Sequence, residues 1–164
     1  MVRRSSDAHR DLGALFEREY ERLVRALTAA GSVDAEDAVQ EAFVQAMVHW
    51  RRVGSYEDPA GWVRRVALRR SMNRHRGRRR QQAVADRLGS EPHLAAEDEP
   101  LSERLEVAIG SLSPQQRTAV SLYYLGKLSV AEVAVAMDLS EGTVKYHLHA
   151  ARTTLATTWE PDRG

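Results

Sequence analysis

Five polar side chains near the C-terminus have the types and spacing of a recognition surface. Glu141, Thr143, Lys145, Tyr146 and Arg152 offer a carboxylate, a hydroxyl, an ammonium, a phenol and a guanidinium. They lie beside an apolar stripe, Val144, Leu148, Ala151 and Leu155, whose steps of four, three and four fit one helix face. Groups of this kind hydrogen-bond base edges and phosphates. A second concentration is cationic, with nine arginines and no acid from Arg64 to Arg80. Like charges so dense repel one another unless a polyanion neutralises them, although many could simply solvate an exposed helix. A third is acidic: Asp37, Gln40 and Glu41 share a helix face with Val44, which suits a basic partner. Asp34, Glu36 and Asp37 also match the positive end of a helix dipole, as ordinary surface charge does.

Covalent chemistry has little support. The chain has no cysteine, no glycine-rich phosphate loop and no convincing acid–base pair, so no catalytic residue and no cofactor is expected. His147 and His149 are two apart on a helix and point to opposite sides, and the other histidines are scattered, so no metal site is expected either.

The punctuation around these residues predicts the elements that carry them. Ser113-Pro114-Gln115-Gln116 and Ser129-Val130-Ala131-Glu132 are capping boxes, and Ser140 caps a third helix. The first of these helices is predicted to stop at Gly126 in the left-handed conformation, the second near Asp138-Leu139. Two helices joined by a tight turn, the second with a polar and basic flank, form a helix-turn-helix. Leu101, Leu105, Ile109 and Leu112 add an amphipathic helix and make a four-helix unit. Upstream, a helix from Asp11 ends at Gly31. Asp34 caps a second helix with Val39, Phe43, Met47 and Trp50 inward. After a polar loop over residues 51–59, Asp58-Pro59 opens a long helix with Trp62, Val63, Val66 and Ala67 inward and arginines around the rest. The fold class is therefore all-α: two small helical domains, 11–80 and 101–158, joined by a flexible linker, 81–100.

Asp86 to Glu106 holds seven acids against two arginines, so opposite charges are segregated along the chain, which speaks of partners rather than fold. No apolar run reaches the roughly 18–20 residues that span a bilayer, and Met1 to Ser6 lacks the core of a secretory signal. A soluble cytoplasmic protein without membrane insertion is expected.

The segment LSPQQRTAVSLYYLGKLSVAEVAVAMDLSEGTVKYHLHAARTTL resembles the promoter-binding domain of extracytoplasmic-function (ECF) sigma factors, although response regulators carry a similar SxGTVK stretch. Independently, DAEDAVQEAFVQAMVHW resembles the DAEDLVQETFLRAW-type helix with which those factors grip the clamp helices of RNA polymerase. The resemblance implies core RNA polymerase and promoter DNA as partners, with Asp37, Gln40 and Glu41 on the polymerase. It further implies that GWVRRVALRRSMNRHR reads and melts the minus-ten element, through Arg65, Arg69, Arg70, Asn73, Arg74 and Arg76. The preceding loop would hold a flipped-out base, for which Tyr56 is the candidate. Glu141, Thr143, Lys145 and Tyr146 would contact bases or the sugar-phosphate chain at the minus-thirty-five element, with Arg152 on the backbone. An anti-sigma factor is a further partner found in the family. The acidic linker would thread the polymerase cleft or act as a plain solvated tether.

The chain departs from the family's VKSRLHRAR form, with Tyr146, His147 and Ala150 replacing a serine and two basic residues, so target specificity does not transfer. The alternative function is a helix-turn-helix regulator that works without forming a holoenzyme. That reading leaves the acidic helix and the arginine block without a shared purpose.

Overall fold

The computed structural model describes residues 3–88 and 103–159, and among these residues all regular structure is helical. The N-terminal half comprises α1 (Arg3–Ala29), α2 (Ala35–Val48), the short α3 (Trp50–Val53) and α4 (Pro59–Leu88). The C-terminal half comprises α5 (Glu103–Gly110), α6 (Pro114–Val120), a π turn over Ser121–Leu125, α7 (Val130–Met137) and α8 (Glu141–Trp159).

Helix α1 buries Leu15, Leu23, Ala26 and Leu27, and Gly31 ends its last turn at φ 100°, where a residue without a Cβ is at ease. Helix α2 presents Ala35, Ala38, Val39, Ala42, Phe43 and Ala46 to the core, small residues that let α4 approach closely. The predicted stripe is corrected here: Met47 is 57% exposed and Trp50 belongs to α3. At about 100° per residue, Ala46 falls about 20° from Val39 and Met47 about 80° from it. Asp34 occupies the N-cap of α2 without a side-chain cap bond, whereas Asp58 does cap α4, its Oδ1 accepting the Gly61 N–H at 3.0 Å. Helix α4 runs on through residues 81–88, a stretch predicted to be linker. Gln81-Gln82-Ala83-Val84-Ala85 are tolerant of helix, and no breaker intervenes before Gly89. The rest of that linker lies outside the described residues.

Both capping boxes form, at Ser113 with Gln116 and at Ser129 with Glu132. Gly126 is not left-handed: it sits at φ −74°, and Lys127 takes the left-handed step at φ 52°. Gly126 is needed for space, since a Cβ there would lie 2.6 Å from the Leu122 carbonyl oxygen and 3.4 Å from Ala26 Cβ.

That contact with Ala26 belongs to a junction between the halves. Helix α1 packs against the π turn and α6, α4 packs against α7, and the buried apolar residues of both halves form one continuous core. Arg64, which the sequence places among the arginines outside the apolar stripe of α4, is instead 5% exposed at its centre. Its Nε and Nη2 donate to Glu19 Oε2 and Oε1 at 2.9 and 2.6 Å, and its Nη1 donates to Glu132 Oε2 at 2.8 Å. Burial lowers the pKa of this guanidinium, but the hydrogen bonds and charge of Glu19, then of Glu132, outweigh it and leave the pKa raised. Removing one partner of such a buried pair costs about 3–5 kcal/mol, because the other charge is stranded. At the far end of the junction Arg117 Nε donates to the Ala29 carbonyl at 2.8 Å.

Candidate polymerase and promoter interface

Asp37 and Gln40 lie exposed on α2, with Glu41 half-buried beside them. Gln40 Nε2 donates to the Tyr20 hydroxyl at 3.1 Å, and Glu41 Oε2 accepts from Arg70 Nη1 at 2.7 Å. The face continues through Val44, Met47 and Val48, which are 54%, 57% and 68% exposed. It is thus acidic at the N-terminal end and apolar at the other. Helical spacing puts Val44 on this face with Asp37, Gln40 and Glu41, and the fold adds Met47 and Val48 to it. The signal was three apolar residues falling off the Val39-Phe43-Ala46 line.

On α4, Arg65, Arg69 and Asn73 fall in line at steps of four, the last two exposed. Arg65 is half-buried, its Nε 3.4 Å from the Val135 carbonyl and its Nη2 3.4 Å from Asp138 Oδ1, both in or next to α7. Arg70 turns away from that line toward α2 and Glu41. The side chains of Arg74 and Arg76 lie outside the described residues. Tyr56 opens onto a cleft of about 490 Å³ lined also by Asp58, Gly61, Trp62, Arg65 and Val135. Tyr56 and Arg65 are therefore brought together, at a cleft whose far wall is α7. Trp62 packs on the core from one side and lines the cleft from the other.

Helix α8 is capped as its sequence predicts, the Thr143 N–H donating to Ser140 Oγ at 3.1 Å. The two hydroxyls also meet at 2.8 Å, so Thr143 Oγ1 already serves the cap. Glu141, Lys145 and Tyr146 are exposed, while Val144, Leu148 and Ala151 are buried. His147 is half-buried, and its ring meets Tyr146 edge-on at 5.7 Å. Arg152 donates from Nε to the Tyr124 hydroxyl at 2.9 Å. Tyr123 and Tyr124 carry no role in the sequence reading. An adjacent pair of tyrosines ahead of Gly126 was the available sign, but their meeting with Arg152, 28 positions on, is a tertiary fact.

Comparison with known proteins identifies the family and the fold. A family model described as Sigma-70 region 2 matches residues 15–81, and one described as Sigma-70, region 4 matches residues 102–155. The ECF RNA polymerase sigma factor SigE of Mycolicibacterium smegmatis is 34% identical over 132 residues, covering 74% of this chain and 50% of its own length. The chain thus spans half the length of that relative. The ECF RNA polymerase sigma factor SigL of Mycobacterium tuberculosis is 32% identical over 134 residues, covering 77% of this chain and 75% of its own. The fold is shared with solved structures, CnrH and RpoE among them. CnrH, in complex with the cytosolic domain of CnrY, has TM-score 0.65 and 23% identity, covering 94% of this chain and 90% of that one. The sigma factor RpoE, in complex with the anti-sigma factor NepR from Bartonella quintana, has TM-score 0.58 and 24% identity, covering 90% and 98%.

Proposed function

We propose that this chain, which belongs to the ECF family of RNA polymerase sigma factors, acts as a specificity subunit that binds core RNA polymerase, directs it to particular promoters and starts their melting. The observation that carries the reading is the order of its two regions. Region 2 covers the helices with the acidic-apolar face and the arginine line, and region 4 covers the helix-turn-helix; this order supports a chain with one polymerase dock and two DNA readers.

In this reading α2 docks on a basic polymerase surface through Asp37, Gln40 and Glu41, with Val44, Met47 and Val48 adding apolar contact. Arg65, Arg69 and Asn73 track the minus-ten strand, together with Arg70, Arg74 and Arg76, and the cleft at Tyr56 receives a base leaving the stack. Glu141, Lys145 and Tyr146 meet the minus-thirty-five element, and Thr143 does so mainly by fixing the start of α8. An anti-sigma protein is the natural inhibitor of such a factor, covering the same faces. No helix among the described residues is long and apolar enough to cross a membrane.

The test is size-exclusion chromatography of the chain mixed with purified core polymerase. Co-elution at equal stoichiometry is expected. Separate elution, with DNA bound by the free chain, would instead leave a regulator that forms no holoenzyme.

A further inference from the structure

Helix α8 carries two permanent cations, Lys145 and Arg152. The one near its middle, Arg152, is held in a seat made by another element. Its guanidinium carbon lies 5.9 Å from the ring centre of Tyr123 and 5.8 Å from that of Tyr124. The rings meet edge to face at 4.9 Å and 84°. The phenol of Tyr124 accepts the Nε–H at 2.9 Å. Both Arg152 and Tyr124 are exposed, Tyr124 by 51%, so the contact lies on the surface, where an isolated cation–π pair adds little to stability.

We propose that Tyr124, supported by Tyr123, is a positioning residue that holds Arg152 as a pre-set fork for a DNA phosphate flanking the groove that α8 enters. The proposal rests on the promoter-binding reading and deepens it. With Nε committed to the phenol, the guanidinium plane is fixed and its two terminal nitrogens, with four N–H groups, are left to grip a phosphate by two parallel bonds. A free arginine must give up its rotamers on binding, whereas this one has already given them up. That matters in a helix where Ala150 offers no charge, and where His147 is half-buried with Nδ1 lacking a hydrogen-bond partner among the described residues.

Holoenzyme assembled from core polymerase and the full chain tests this by fluorescence anisotropy, using a duplex that the wild-type holoenzyme selects from a genomic pool. Tyr124→Phe should bind about three- to tenfold more weakly with an unchanged log–log salt slope, since no charge is lost. Arg152→Ala should weaken binding and reduce the slope by about 0.9, one phosphate's worth, while Arg152→Lys restores the slope without restoring full affinity. The double variant Tyr124→Phe/Arg152→Ala should be no weaker than Arg152→Ala alone. An equal loss from Tyr124→Phe in both backgrounds would overturn the positioning role, as would no loss at all. An unchanged slope in Arg152→Ala would overturn the phosphate contact. A wild-type holoenzyme that selects no duplex would remove the promoter-binding reading itself, and this proposal with it.

Discussion

Glu41 and Arg70 show how far residue type alone carries an assignment. Helical period puts Glu41 on the outer face of α2 and Arg70 outside the core stripe of α4, and both positions hold. Their 2.7 Å pairing does not follow from any local pattern, because the residues are 29 positions apart and meet only when α4 packs on α2. The pair couples two surfaces assigned to different partners, so Glu41→Lys would disturb polymerase and DNA contacts together. Val44 separates them. Val44→Glu should lower affinity for core polymerase at least tenfold in a binding titration, by placing a desolvated charge in the dock, and should leave the melting temperature unchanged. Tyr56→Ala should impair open-complex formation on duplex promoters far more than on pre-melted ones, measured by permanganate footprinting. Equal impairment on both would dissociate Tyr56 from melting.

At the scale of elements, helix starts were the most legible feature, because caps are local chemistry. Ser113, Ser129, Ser140 and Asp58 each accept the backbone N–H that their sequence context promises. Helix ends were less so. A glycine after a helix commonly takes the left-handed step, yet here the π turn over Ser121–Leu125 takes up an extra residue, and the step falls on Lys127. Lys127→Gly should therefore stabilise the fold by about 0.5–1 kcal/mol in denaturant titration, the relief of left-handed strain exceeding the added chain entropy. The end of α4 is hidden for a different reason. The lack of a helical apolar stripe and the breakers Pro92 and Pro100 mark residues 81–100 as linker, while helix propensity continues to Leu88.

Across the whole molecule, charge segregation and the two motifs announce two heads, but not that the heads pack on each other. That packing depends on Gly126 fitting against Ala26, on Gly61 fitting against Val135, and on Arg64 reaching Glu19 and Glu132, 45 and 68 positions away. Glu132 serves the α7 capping box and the junction at once. Its carboxyl is held below the usual carboxylate range, first by the Ser129 backbone N–H, then by the Ser129 hydroxyl and Arg64, against an opposing effect of burial. A depressed folded pKa means that its contribution is complete above the ordinary carboxylate range and fades as pH falls through the lower, folded value. Glu132→Gln keeps the cap geometry and removes the charge. With two cysteines introduced at exposed Glu21 and Thr157 in this cysteine-free chain, energy transfer between dyes should report a larger separation of the halves in that variant, and less change on acidification than in the wild type. In the proposed reading the same separation would open the cleft at Tyr56, which α7 walls, and release Arg65 from the Val135 carbonyl. The most direct test of the central claim is run-off transcription by core polymerase, with and without this chain, on a genomic promoter pool. Discrete start sites that depend on the chain, preceded by two sequence elements at a fixed spacing, are the predicted result. Transcription no more selective than that of core enzyme alone would contradict it.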